Sequence, residues 1–527
     1  MDVSVIREKN EFKKENFKRL ESVLEIIAQG AWNGGRIVDN SIYEKKGLTF
    51  KGGIPVTSKT IEERMGVKTR MCAPLDERIG ATALQDLLDT SGIDPARIKL
   101  VIGATNVGDD KYDAGPLIRH PYAIIADRCP GTLVFDLYAG CPGFNVAVEL
   151  GLMLSLTGFL QAGDISVIVG AENIHRAKAF KPHDTSNIIF GDDSLATALQ
   201  TQISITPSGE YSNQRKGNFK IEKDLVTELA QNIHDLIGNT DIDGLIIDNQ
   251  IGDLVHRVPA IAARVQHALV ELMYPQEAAN GTFLKFRDAL DFYDRNVKAF
   301  AFDIMTLDAC VEHVEAIAKA YVMSGKYKNV VSVYLSPERT GTICLHEGRH
   351  YSFERPRSGI IDTNTKTHGC FARFIQALPE GNEIWGDMDG KGVFLYATRG
   401  AKFHLEELFS QNHIRFEDFD LIVEHQANFA MIPLTLEQVL DLEPQEKKAA
   451  IAGLIANKMV TNVHRRGNCS VVCMQRLPYD LKRGALQADI VQGFEVNANL
   501  DELRRARLIL MDSVGAGMTR SSFIQKI

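Results

Sequence analysis

Part of this chain is written twice. Residues 77–109, ERIGATALQDLLDTSGIDPARIKLVIGATNVGD, are matched by 224–253, DLVTELAQNIHDLIGNTDIDGLIIDNQIGD. Residues 134–172 are matched in the same way by 301–338. Three landmarks set the register: Gly108-Asp109 with Gly252-Asp253, Phe135-Asp136 with Phe302-Asp303, and Glu172 with Glu338. Strand–helix–strand patterning is generic, so the ordered landmarks carry the inference. They describe a single duplicated unit rather than a short-period solenoid. Within the first copy, Ala81–Ser91 has helical periodicity. Ile98–Ala104, Thr132–Leu137, Asp164–Ala171 and Leu195–Ile203 are short apolar strand candidates, and a helix starts near Pro142. Helices placed between short apolar strands predict α/β layers. Ahead of this pattern, a polar stretch from Glu11 to Gln29 puts Phe17, Leu20, Val23, Leu24, Ile26 and Ile27 on one side, and is predicted to be a docked helix.

Composition removes several classes. Hydrophobic residues make up 45% and charged residues 24% of 527 positions, an ordinary globular balance. With 59 basic against 68 acidic side chains the net charge is −9, which disfavours a nucleic-acid-binding role. No apolar run reaches membrane-span length, and the charged N-terminal segment lacks a signal-peptide core. Eight scattered cysteines, most within apolar segments, point to reduced thiols in the cytoplasm. Cys469 and Cys473 lie close together, but not at a zinc-ligand spacing with a second pair, so no metal is expected.

The sharpest chemical signal is Asp136-Leu-Tyr-Ala-Gly-Cys141-Pro-Gly-Phe. A strand ends in small residues, and Pro142 suits the first turn of a helix because its missing N–H would be unpaired there. The helix that follows is apolar nearly all round and is predicted to be buried. A thiol at its N-terminus faces the positive end of the helix dipole, which favours thiolate. Gly140 and Gly143 leave room for a thioester to approach. A buried structural cysteine fits this segment equally well. Two later segments favour chemistry: LIVEHQANFAMI (421–432), with His425 at a strand end, and NVHRRGNCSVV (462–472), with Gly467-Asn468 at a helix start. A nucleophilic thiol acting on thioesters needs a proton-handling partner and oxyanion donors, which a His and an Asn supply.

These residues resemble the β-ketoacyl-acyl-carrier-protein synthase III family of the thiolase superfamily. The likeness runs in order through IEERMGVKTR (61–70), the cysteine element (136–144), FGDDSLATAL (190–199), MDGKGVFLYA (388–397), EHQAN (424–428), RGNCS (466–470) and SVGAGMT (513–519). It implies a layered αβαβα fold and a Cys141–His425–Asn468 site. Cys141 would take an acyl group from acyl-CoA or acyl carrier protein. His425 and Asn468 would hold the enolate of a decarboxylating malonyl thioester, and the N–H groups of Cys141 and Ala516 would form a second oxyanion hole. Arg64, Phe144 and Asn428 would contact substrate, and no metal or redox cofactor would be needed. Thr60 stands where many relatives carry a tryptophan that stacks on CoA, Pro142 replaces the usual alanine after the cysteine, and Asp193-Ser194 replaces Gly-Ala in a turn, read as structural. The family's first strand is not evident ahead of residue 61.

On this likeness the chain divides into an N-terminal helical extension (1–45), a half bearing the nucleophile (46–215), an inserted degenerate half (216–360) and a half bearing His and Asn (361–527). In the insert, Asp308 falls opposite Cys141 with Cys310 two residues on, and no second HQAN or GN segment follows. Family dimers pair the nucleophile-bearing halves, so the insert is expected to pack on 46–215 and imitate a partner, giving a pseudo-dimeric monomer; an ordinary homodimer is the other outcome. HEGRH (346–350) matches a zinc-protease pattern, but that chemistry needs a helix, and the surroundings read as a hairpin. His464, His368, Arg465 and Arg466 read as ordinary surface or loop groups, with a phosphate contact from Arg465 or Arg466 as a weaker alternative. Acyl transfer to an amine or alcohol, and condensation without decarboxylation, stay open as reactions on the same fold.

Overall fold

A computed structural model describes residues 21–113, 115–129, 131–440 and 442–527. Its dominant feature is a ten-stranded sheet. The first five strands in chain order are β1 (Leu24–Ala31), β2 (Ile98–Ala104), β3 (Leu133–Tyr138), β4 (Ile165–Glu172) and β5 (Asp193–Thr201). The next five are β6 (Glu210–Lys220), β7 (Gly244–Asn249), β8 (Phe300–Thr306), β9 (Asn329–Leu335) and β10 (Thr340–Arg349). Across the sheet they run β1-β5-β4-β2-β3-β8-β7-β9-β10-β6. Counted outward from the centre, each strand of one five has its counterpart in the other. The directions agree too: β2 lies parallel to β3 and β4 as β7 does to β8 and β9, and the outer pairings are antiparallel on both sides.

The two fives meet through β3 and β8, which pair antiparallel. Ile304, the sequence match of Leu137, pairs with Leu137 itself. Asp303, the match of Asp136, pairs with Tyr138, while Met305, the match of Tyr138, pairs with Asp136. Residue i meets j and j meets i, which is the signature of an isologous, two-fold contact. Here that contact lies within one chain.

β1 corrects the sequence reading. Residues 24–29 are strand rather than helix, while Glu11 to Leu20 lie outside the described residues. A short apolar run is ambiguous by periodicity, and edge pairing with β5 decides it. Gly30 lets a helix over Ile79–Ser91 lie directly on this strand, since a Cβ there would stand 2.0 Å from the Leu87 nitrogen. A first strand of the sheet is therefore present well ahead of residue 61.

A second sheet, with β11 (Gly359–Thr367), β12 (Leu421–Glu424), β13 (Leu508–Gly515) and β14 (Thr519–Lys526), runs in the order β11-β14-β13-β12. Between the sheets lies helix α1 (Gly143–Leu156), buried at every position because it touches both. Helices α2 (Val311–Met323) and α3 (Cys473–Lys482) pack beside it. The α1 carboxylate Glu149 is fully buried and accepts the hydroxyls of Tyr327 and Thr365, tying the repeated unit and the second sheet to one helix. This layered α/β arrangement is the one expected. Among the described residues, no helix is long and apolar enough to cross a membrane.

HEGRH lies in β10 and the turn after it, not in a helix. His346 is buried between Ser332 and Tyr211. His368 and His464 are also buried, contrary to the surface reading, with His368 held between Asp294 and Tyr396.

Candidate active site

Gly140, at φ +70°, turns the chain out of β3 and presents Cys141 just ahead of α1. The approach to the β13 end is so close that only glycines fit. A Cβ on Gly140 would lie 2.5 Å from the Ala516 nitrogen, and one on Gly515 would lie 2.3 Å from the Cys141 nitrogen. The backbones of Cys141 and Ala516 are thus neighbours.

His425 follows β12 directly, its backbone N–H donating to the Asp512 carbonyl at 2.8 Å. Burial pushes its ring down, but the Cys141 and Cys473 thiols against it raise it on balance to about 10. Charge on those sulfurs favours the protonated ring, and a ring N–H facing the cavity is a donor suited to an oxyanion. Cys473 moves the opposite way, lowered by the neighbouring Cys469 thiol and by His425 against its own burial.

Asn468 is pinned by its backbone N–H to the Ile189 carbonyl at 2.7 Å. Its Oδ1 accepts the Ser470 N–H at 2.8 Å, which leaves the amide Nδ2 to donate to a ligand. Ser470 sits at φ +50°, an unfavourable region for a side-chain-bearing residue. Its hydroxyl lies 3.3 Å from Cys141 Sγ.

Cys141, His425, Asn468, Asn106 and Ser470 line one cavity, and the rest of its wall is mostly apolar. Ile174, Phe180 and Phe190 come from the first unit, and Met431 and Val514 from the C-terminal part. Leu254 and Val258 come from the second copy. A hairpin over 375–388 supplies Ile375 and Met388.

The remaining site candidates fall elsewhere. Phe144 is a correction: its ring is buried edge-on against Phe523, 6.2 Å between centroids, because α1 turns that face into the core. The Arg64 guanidinium covers the Phe50 ring at 5.3 Å and is not among the cavity residues. Asn428 Oδ1 is buried without a partner next to cavity-lining Ala427. Thr60 closes a capping box with Thr57 at the start of the 58–65 helix. Arg466 is drawn inward onto Asp193, which also clamps Arg476, and Arg465 reaches Gln487 and Asp489. That removes the phosphate reading for Arg466 and gives Asp193 the structural role expected.

Sequence reasoning missed Asn106, Ser470, Cys473 and the Leu254–Val258 wall. Ser470 and Cys473 stood two and five residues past Asn468, but nothing local showed where they point.

No family model matches the chain. In sequence it is similar to the β-ketoacyl-[acyl-carrier-protein] synthase III of Helicobacter pylori strain ATCC 700392 / 26695, 24% identical over 247 residues, covering 42% of this chain and 65% of the relative. The Sphingopyxis alaskensis synthase III is 29% identical over 152 residues, covering 28% of this chain and 45% of the relative. The chain thus spans just under two thirds of the Helicobacter relative and less of the other. In structure it resembles the 3-oxoacyl-[acyl-carrier-protein] synthase III of Aquifex aeolicus, with a TM-score of 0.50 and 15% identity over 96% of this chain and 100% of that one. The Thermus thermophilus synthase III gives 0.50 and 18%, over 95% and 99%.

The chain is similar in sequence to synthases III and shares the thiolase-like fold of their solved structures.

Within this chain, β6 to β10 repeat the strand arrangement of β1 to β5.

Proposed function

We propose that this synthase III relative is a condensing enzyme that loads an acyl group on Cys141 and extends it with a malonyl thioester. The observation that carries this is the convergence of Cys141, His425 and Asn468 on one cavity whose other walls are apolar. The Cys141 thiolate attacks the thioester carbonyl of acyl-CoA or acyl carrier protein. Negative charge on that oxygen meets the N–H groups of Cys141 and Ala516, and the donor thiol departs, leaving an acyl-Cys141 thioester. A malonyl thioester then loses carbon dioxide. Its enolate oxygen is held by the His425 ring N–H and the Asn468 amide, and its carbanion attacks the acyl carbonyl, expelling the Cys141 thiolate and releasing a β-ketoacyl thioester. Side chains and backbone carry each step. The apolar walls suit an alkyl chain, and the eight free cysteines suit a reducing cytoplasm.

The inserted half expected over 216–360, whose strands β6 to β10 span 210–349, would stand where a partner's nucleophile-bearing half pairs. With β3 already paired to β8, the chain acts as a pseudo-dimeric monomer.

Intact mass after incubation with acyl thioesters tests the reading. Wild type gains one acyl group and Cys141→Ala gains none; a gain that persists in Cys141→Ala overturns it. Malonyl thioester then gives carbon dioxide and a ketoacyl product. Acyl transfer to an amine, or condensation without carbon dioxide release, identifies the alternative reactions.

A further inference from the structure

Behind the nucleophile runs a buried chain of polar groups that the mechanism above does not use. Glu172, at the end of β4, is fully buried. Its Oε1 accepts the Asn106 backbone N–H at 2.5 Å and the Asn106 side-chain Nδ2 at 3.0 Å. The same Nδ2 lies 2.8 Å from Ser470 Oγ, and Ser470 Oγ lies 3.3 Å from Cys141 Sγ. Asn106 and Ser470 both line the cavity.

The direction of these bonds follows from counting hydrogens. An amide Nδ2 has two, and no lone pair to accept with. One goes to the carboxyl oxygen and the other to Ser470 Oγ. Ser470 is therefore the acceptor in that contact. Its single hydroxyl hydrogen has the sulfur as its remaining neighbour. Reversing Asn106 would set its Oδ1 against the Glu172 oxygen, so the carboxyl end fixes the orientation of the whole chain.

We propose that Ser470 is a further catalytic residue, donating its hydroxyl hydrogen to the Cys141 thiolate, and that Asn106 and Glu172 are positioning residues that force it to be the donor. The left-handed backbone at Ser470, φ +50°, is what aims the hydroxyl at the sulfur. A hydroxyl donor stabilises the thiolate before attack and again when the sulfur is expelled from the acyl intermediate. The other ionisable groups facing this point are His425 after the end of β12, Cys469 from the turn before α3, Cys473 at the start of α3, and Asp192 beside Glu172.

The inference rests on Cys141 being the acylated nucleophile, and the test separates the two. Peptide-mapped alkylation of Cys141 is followed against pH, together with acyl loading by intact mass. Ser470→Gly removes the hydroxyl at a backbone angle glycine prefers, so folding is not penalised. It is expected to move the alkylation midpoint up by about one pH unit and to slow loading about tenfold, the scale of one hydrogen bond to a charged group. Asn106→Asp puts an acceptor where the donor was, draws the Ser470 hydrogen away from sulfur, and is expected to move the midpoint in the same direction. Glu172→Gln keeps an acceptor oxygen for Asn106 and is expected to leave the midpoint in place. An unchanged midpoint in both Ser470→Gly and Asn106→Asp overturns the proposal, as does an equal shift in Glu172→Gln. Failure of wild type to load any acyl group overturns the nucleophile reading instead.

Discussion

The two copies of the five-stranded unit keep the same strand frame; beyond the extra helices over 275–296 in the second, they differ at the corner that bears on chemistry. In the first, Asp136 in β3 accepts the Leu117 and Ile118 N–H groups at 2.6 and 3.0 Å. In the second, Asp303 in β8 accepts the Ile261 and Ala262 N–H groups, both at 2.8 Å. The matched carboxylates therefore do the same structural work, holding a helix start against the central strand. The corner after the strand is where they part. After β3 the chain turns at Gly140 and is covered by the Gly515–Ala516 backbone. After β8 it runs through an exposed Asp308, with Ala309 at φ +52°, to Cys310, whose thiol bonds Glu312. The first corner lies under the C-terminal part of the chain; the second opens to solvent. A duplicated frame is thus not a duplicated site, because chemistry needs the covering loops as well.

The comparison can be broken most sharply at the corners. Cys141→Ala is expected to lower product formation at least a thousandfold, whereas Cys310→Ala leaves it unchanged; steady-state turnover decides. The seam comes next. Leu137 and Ile304 pair across the two-fold contact and are both fully buried. Truncation of either to Ala is expected to cost about 2–5 kcal/mol in denaturant unfolding, with near-equal values on the two sides. Light scattering of wild type is expected to give the single-chain mass of 58.4 kDa; a dimer would break the pseudo-dimer reading. A smaller effect tests the wall that the second copy lends to the first. Leu254→Trp fills the cavity and is expected to reduce loading of long acyl chains about tenfold relative to short ones, the scale of a pocket's discrimination by a few methylenes.

The smallest effect separates the matched carboxylates. Burial raises Asp136 to about 6 and Asp303 to about 7. Each native state holds a proton that the unfolded chain releases near pH 4, so the stabilisation present below that pH is lost as pH rises through 6 and 7. Melting temperature is expected to fall over this range. Asp303→Asn should flatten the fall more than Asp136→Asn, since its shift is larger.

Much of the frame was legible in the residues. Gly108-Asp109 and Phe135-Asp136 marked the copy because strand ends and helix-holding carboxylates tolerate few residue types; the third landmark fails, since the ladders set Ser336 at the place of Glu172 and leave Glu338 exposed in the turn after β9. Cys141, His425 and Asn468 were legible because each stands beside a strand or helix end with small or proline neighbours. β1 was misread because residues 24–29 carry no periodicity that separates helix from strand. Phe144 was misassigned because helical position does not say which side of a doubly covered helix faces a cavity.

The amino-acid sequence by itself determined the α/β class, the duplication and the residue types available for thioester chemistry, since periodicity and chain order are local properties. Only the tertiary structure decided that the two copies join into one sheet about a two-fold seam, that Leu254 and Val258 close the cavity of the other copy, and that Ser470 meets Cys141. Those contacts join residues far apart in the chain, and their geometry exists only once sheets and helices have packed.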